Sequence, residues 1–154
     1  MGTGFDAHRL VPGRPLMLGG VQVEYERGLQ GHSDGDCLVH AVCDAMLGAA
    51  ALGDLGRYFP SHDSRWKGVP SLTFLDEVAR LVGARGFVVA NIDATVIAQA
   101  PPLAAHLDAM RQSLAQRLGI ALERVSVKAK SSDGLGALGR GEGIAAQAVV
   151  LLTT

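Results

Sequence analysis

The end of the chain constrains the fold more than any other part. Ile144 to Leu152 reads IAAQAVVLL, apolar at every position except Gln147. A strand shows successive residues to opposite faces, so a run apolar on both needs cover on both. The chain has few bulky groups to provide it. Only 5% of residues are aromatic although 48% are hydrophobic, so the core must be built from Ala, Val, Leu and Ile. Each of those buries little area. At 154 residues one domain spanning 1–154 is expected, burying about 68–70% of its unfolded surface. Disorder is excluded by the high apolar fraction with 19% charged residues. A net charge of −1 offers no basic field for nucleic acid or an anionic membrane.

Upstream, residues 2–10 and 16–25 read as extended, with Gly19-Gly20 as a hairpin turn. The Ala- and Leu-rich stretch from Cys37 to Leu52 predicts a helix, with Ser33, Asp34 and Asp36 as capping candidates. A loop is expected from Gly53 to about Val69. A second helix starts near Pro70-Ser71, its stripe formed by Leu72, Leu75, Val78, Ala79 and Val82. From Val88 to Ala98 apolar and polar residues alternate as in a half-buried strand. A third helix follows Pro101-Pro102 and ends at Gly119; Val125 to Lys130 is a further strand. This order predicts an α+β, two-layer sandwich with a mixed sheet and helices on one face. No run reaches membrane-span length and MGTGFDAHRL lacks a signal-peptide pattern, so a cytoplasmic protein is expected. Six helical residues would hold Cys37 and Cys43 about 9 Å apart, too far for a disulfide, so both are expected to be reduced.

Three polar clusters carry chemistry. Asp6 and His8, two apart on a strand, point to one side. With His40 they form a two-histidine, one-carboxylate set suited to an open zinc site, and Asp36 or Asp44 could orient His40. Taken singly, these also read as polar strand residues and a core histidine. The turn His32-Ser33-Asp34-Gly35-Asp36 precedes the helix as an anion site or merely as a cap. The loop Lys130-Ser131-Ser132-Asp133-Gly134 with GRGEG after it combines glycines, hydroxyls and an acid, as a phosphate cradle or a flexible hairpin. Arg140 and Glu142 could instead form an ion pair, and Asp54 and Asp63 could bind substrate hydroxyls or be loop acids.

In order along the chain, GFDAH, GHSDGD, LVHAVCDAMLGAAALGDLG, IAQAP, VKAKSSDGLG and GRGEGI resemble the 2-C-methyl-D-erythritol 2,4-cyclodiphosphate synthase family across essentially the whole length. The resemblance implies conversion of 4-diphosphocytidyl-2-C-methyl-D-erythritol 2-phosphate to the cyclic diphosphate and CMP, in non-mevalonate isoprenoid synthesis. It implies zinc on Asp6, His8 and His40, with His32 and Ser131 catalytic and Ser33 on the phosphates. Asp54, Leu55 and Gly56, then Phe59, Pro60, Ser61, His62 and Asp63, would bind the methylerythritol part. Ala98, Gln99, Ala100, Pro101, Pro102, Leu103 and Ala104 would form the cytidine pocket. Lys130, Ser132 and Asp133 would meet the nucleotide phosphates, Asp133 with Mg²⁺ or Mn²⁺, and Arg140 a phosphate near the subunit junction. A homotrimer with sheets around a three-fold axis is implied, with active sites between subunits and a central cavity for an isoprenoid diphosphate. Departures from the family pattern are Ser131-Ser132-Asp133 for Thr-Thr-Glu, Pro102 for Lys and Ala137 for Phe. Two rival classes share the metal residues: a zinc phosphoesterase releasing orthophosphate, and a non-enzymatic trimeric binding module.

Overall fold

The computed structural model describes residues 1–154. In chain order the strands are β1 (Gly2–Pro12), β2 (Leu16–Leu18), β3 (Val21–Val23), β4 (Arg27–Leu29), β5 (Val88–Ile97), β6 (Val125–Lys130) and β7 (Gly143–Thr153). The helices are α1 (Cys37–Ala49), α2 (Leu55–Tyr58), α3 (Ser71–Gly83), α4 (Leu107–Leu118) and α5 (Gly136–Gly139). Five strands make one sheet in the order β4-β1-β7-β5-β6, and β2 and β3 pair separately. Only β5 and β6 run parallel, so the sheet is mixed. No helix is long and apolar enough to cross a membrane.

Small residues decide how closely α1 lies on the sheet. A Cβ on Gly4 would run into the Ala41 carbonyl, and one on Gly2 into the Ala45 carbonyl. Glycine on the strand opposite alanine on the helix therefore brings β1 and α1 together closely. Ile144, Ala146, Ala148 and Val150 of β7 complete that buried face, with Ile92, Ala94 and Val96 of β5 beside them. The start of α1 is fixed by Asp36, whose carboxylate accepts from Val39 N (3.0 Å), Gly19 N (2.9 Å) and Gly20 N (2.7 Å). One buried side chain thus caps the helix and ties it to the β2–β3 turn, where Gly19 and Gly20 both have positive φ.

Several expectations need correction. Helix α1 ends at Ala49 rather than Leu52, because Ala51 turns left-handed (φ 56°) and Leu52 N donates to Leu47 O. The expected loop 53–69 contains α2, capped by Asp54, and a 3₁₀ turn over Ser64–Trp66, capped by Asp63. Strand β4 went unrecognised, being only three residues long. A 3₁₀ turn over Ala104–His106 precedes α4. The α3 stripe includes Phe74 at its buried centre, and Leu72 is only half-buried. Strand β7 is covered along its length on one face alone, although Ala145 of the opposite face is fully buried. Elsewhere on that opposite face, Phe5 is 61% exposed and Leu151 46%, beside exposed Gln147.

Candidate metal centre and active-site cleft

The close approach of α1 to β1 places His40 against Asp6 and His8. Asp6 Oδ2 lies 2.9 Å from His8 Nε2 and 2.9 Å from His40 Nδ1, and the two ring nitrogens are 3.3 Å apart. Ligands at zinc-bond length around a tetrahedral ion stand about 3.3 Å from one another; the two ring nitrogens meet that spacing, and the Asp6 oxygen would move outward by about 0.4 Å to complete the set. Each outer ring nitrogen is also engaged. His8 Nδ1–H donates to Gln30 O at 2.6 Å, leaving Nε2 with the lone pair facing its partners. His40 Nε2 faces Ser71 Oγ at 2.8 Å and Ser33 Oγ at 3.2 Å. Burial acts to raise the Asp6 carboxyl, but when the two rings are protonated the hydrogen bonds from His40 and His8 and their charges outweigh it and hold the group well below the carboxylate range. In its protonated form His8 also donates Nε2–H to Asp6, which pushes its pKa up against the opposing effect of burial; the neutral ring, with its proton held on Nδ1 by Gln30, is the form that can ligate a metal.

Asp36 and Asp44 do not orient His40. Asp36 is spent on the three backbone donors already named, and Asp44 accepts from Leu55 N at 2.7 Å. Their four-residue spacing gave a shared helix face, but the N-cap position turns Asp36 away. The first turn of α1 is buried, so His32 and Ser33 themselves, rather than helix backbone, line the cleft.

The cleft, about 360 Å³, gathers Asp6, His8, His40, His32, Ser33, Leu55, Gly56, Phe59 and Ser61 of the expected residues. It adds Asp44, Trp66 and Phe74. Phe59 stacks on Phe74 (4.5 Å between centroids, 26°) and meets Trp66 edge-on at 5.0 Å, so the only Trp and two of four Phe form one wall. His32 Nε2–H donates to Asp63 O (3.0 Å) while Gly68 N donates to His32 O (2.8 Å), which links the turn to the 53–69 segment. Arg14 forks onto Gly31 O (2.9 Å) and Ser33 O (2.7 Å), bracketing His32. Nothing in the spacing of Arg14, Ser71, Trp66 or Phe74 marked them in sequence.

Other expected residues lie outside this cleft. Asp54 caps α2 through Arg57 N (3.0 Å), and Pro60 and His62 are in the same segment. Arg65 grips Asp63 at 2.6 Å and holds its carboxyl down at about 2. Residues 98–104 and 130–133 sit together beyond the ends of β5 and β6: Ala98 N donates to Lys130 O (2.9 Å) and Gly134 N to Gln99 Oε1 (3.2 Å). In register, Ile97 opposes both Lys130 and Ala145, and Ala145 opposes Ala7. Lys130 is therefore three strands from Ala7, about 14 Å across the sheet. Ser131 and Asp133 are exposed, and Arg140 pairs with Glu142 at 2.6 Å. Cys37 and Cys43 are fully buried free thiols, and burial pushes both well up.

Fold and cleft together define a mixed α/β protein with an open two-histidine, one-carboxylate centre. A model of the YgbB family matches residues 1–153, and the chain belongs to that family. It is 59% identical over 152 residues to the 2-C-methyl-D-erythritol 2,4-cyclodiphosphate synthase of Burkholderia ambifaria (strain MC40-6), covering 99% of this chain and 94% of that one. A solved 2C-methyl-D-erythritol-2,4-cyclodiphosphate synthase, in a form bound to CDP, superposes with a TM-score of 0.91 at 41% identity, over 99% of both chains. The bifunctional IspDF of Campylobacter jejuni matches with a TM-score of 0.95 and 42% identity over 98% of this chain. This chain spans 41% of that longer protein.

Proposed function

We propose that this chain, acting as one domain, converts 4-diphosphocytidyl-2-C-methyl-D-erythritol 2-phosphate into 2-C-methyl-D-erythritol 2,4-cyclodiphosphate and CMP. The observation that carries the reading is the convergence of Asp6, His8 and His40 beside His32 and Ser33 in one cleft of a YgbB-family chain. The 2-phosphate attacks the β-phosphorus and CMP leaves. A phosphate oxygen is anionic at neutral pH, so the attack needs no general base. Positioning and charge compensation are then the protein's task. Asp6, His8 and His40 would hold zinc, which when bound supplies a fixed positive charge for phosphate oxygens. His32 and Ser33 sit where they can donate to the same phosphates, with the Arg14 cation behind the Gly31 and Ser33 carbonyls. The aromatic wall and Leu55 and Gly56 give the methylerythritol part an apolar seat. Ser131, Ser132, Asp133 and Lys130 would meet the nucleotide phosphates, Asp133 with Mg²⁺ or Mn²⁺; its carboxylate makes no ion pair within the chain.

The same reading includes a homotrimer. Residues 98–104 and 130–133 line no part of the metal cleft of their own chain, so a neighbouring copy is needed to bring a nucleotide pocket to it. The half-covered β7 face supplies a surface for that packing, with Phe5 central to it. An isoprenoid diphosphate near Arg140 in the enclosed centre belongs to this reading too, as does a cytoplasmic location.

Phosphorus NMR of the purified protein with substrate and Mg²⁺ tests the reaction. Cyclic diphosphate and CMP in equal amounts are expected. Orthophosphate would identify a phosphoesterase instead, and an unchanged spectrum a binding module. His40→Ala should lose zinc and nearly all turnover. Full CMP release by that variant, verified zinc-free, would remove zinc from the essential machinery.

A further inference from the structure

Helix α3 enters the metal centre from behind. Ser71, its first residue, is fully buried, and its Oγ lies 2.8 Å from His40 Nε2. Ser71 is itself held from both ends: its backbone N–H donates to Asp34 Oδ2 at 3.0 Å, and its hydroxyl donates to Asp34 Oδ1. One turn on, Phe74 stacks over the His40 ring at 6.0 Å and 28°. A hydroxyl has a single proton. Ser71 gives that proton to a carboxylate, which can only accept, so toward His40 it can offer only a lone pair. The partner must then be His40 Nε2–H, and Nδ1 is left with its lone pair toward Asp6 and His8.

We propose that Ser71, locked by Asp34, is a positioning residue that selects the metal-ligating tautomer of His40 and so sets the zinc affinity of the centre. This rests on the reading of Asp6, His8 and His40 as a metal site. The chain Asp34–Ser71–His40 does for His40 what the Gln30 carbonyl does for His8. It also joins the centre to the substrate turn, since Ser33 Oγ lies 3.2 Å from Ser71 Oγ and 3.2 Å from His40 Nε2.

Two substitutions separate tautomer control from simple support. In Ser71→Ala the Ser33 hydroxyl remains near Nε2 and takes over part of the role. In Asp34→Asn the amide NH₂ can donate to Ser71 Oγ, which frees the Ser71 proton for His40 Nε2 and favours the wrong tautomer. Zinc affinity of the folded, full-length protein, measured with Zn²⁺ alone against a chromophoric chelator, should fall about 10-fold in Ser71→Ala and closer to 100-fold in Asp34→Asn. Ser71→Thr, which keeps the hydroxyl, should stay near wild type. In the zinc-loaded wild type, nitrogen-correlated proton NMR should show a slowly exchanging His40 Nε2–H, lost or fast-exchanging in Ser71→Ala. Wild-type affinity in both Ser71→Ala and Asp34→Asn, an Asp34→Asn loss no larger than that of Ser71→Ala, or no protected Nε2–H in the wild type would overturn the proposal. Failure of the wild type to bind one Zn²⁺ would instead overturn the metal reading beneath it.

Discussion

At the scale of single residues, the metal triad was readable because strand geometry makes a two-residue spacing meaningful. Asp6 and His8 must share a side, and His40 follows on a helix whose start the composition marks. The residues that orient the triad were not readable. Ser71 reaches His40 across 31 residues of sequence, and Arg14 grips carbonyls, which leave no trace in side-chain type. Two residue-level predictions follow from burial and backbone geometry. Cys37 and Cys43 are fully buried with thiols pushed up, so they should resist Ellman's reagent in the native protein and react together only on unfolding. Rapid modification of either before unfolding would contradict this. Ala51 takes a left-handed conformation that suits glycine, so Ala51→Gly should raise stability by about 1 kcal/mol in urea titration. A loss of stability there would show that the Ala51 methyl packs usefully.

At the scale of elements, the chain's poverty in bulky side chains is a distance setting. Gly2 and Gly4 let β1 approach Ala41 and Ala45 of α1, and that approach carries His40 to Asp6 and His8. Three of the few aromatics, Phe59, Trp66 and Phe74, gather where the core meets the cleft and form its wall. Gly4→Ala should therefore cost about 3 kcal/mol or more, because its Cβ meets backbone that cannot rotate away. It should also weaken zinc binding by separating β1 from α1. Unchanged urea midpoint and zinc affinity would contradict the account of the helix–sheet contact. The long periodic elements were legible in sequence, α4 and β5 above all. Helix α2 and strand β4 were not, because four and three residues are too few to display a period.

At the scale of the whole molecule, β7 announced in sequence that both its faces need cover, yet the chain covers only one. That mismatch, together with a nucleotide segment about 14 Å across the sheet from the metal centre, supports an assembly in which neighbouring copies complete each other's sites. Phe5→Asp, placed on the uncovered face, should give monomers by light scattering and abolish CMP release while zinc still binds. A fully active trimer from Phe5→Asp would remove that face from the interface. The most direct measurement mixes two inactive proteins. His40→Ala lacks the metal half of the site, and the double variant Ser131→Ala, Asp133→Ala lacks the phosphate half. Refolded together in equal amounts, random trimers should regain about a quarter of wild-type CMP release per site, since that fraction of junctions unites an intact metal half with an intact phosphate half. No recovery, with mixed trimers verified by mass spectrometry, would mean that each chain carries its whole active site alone.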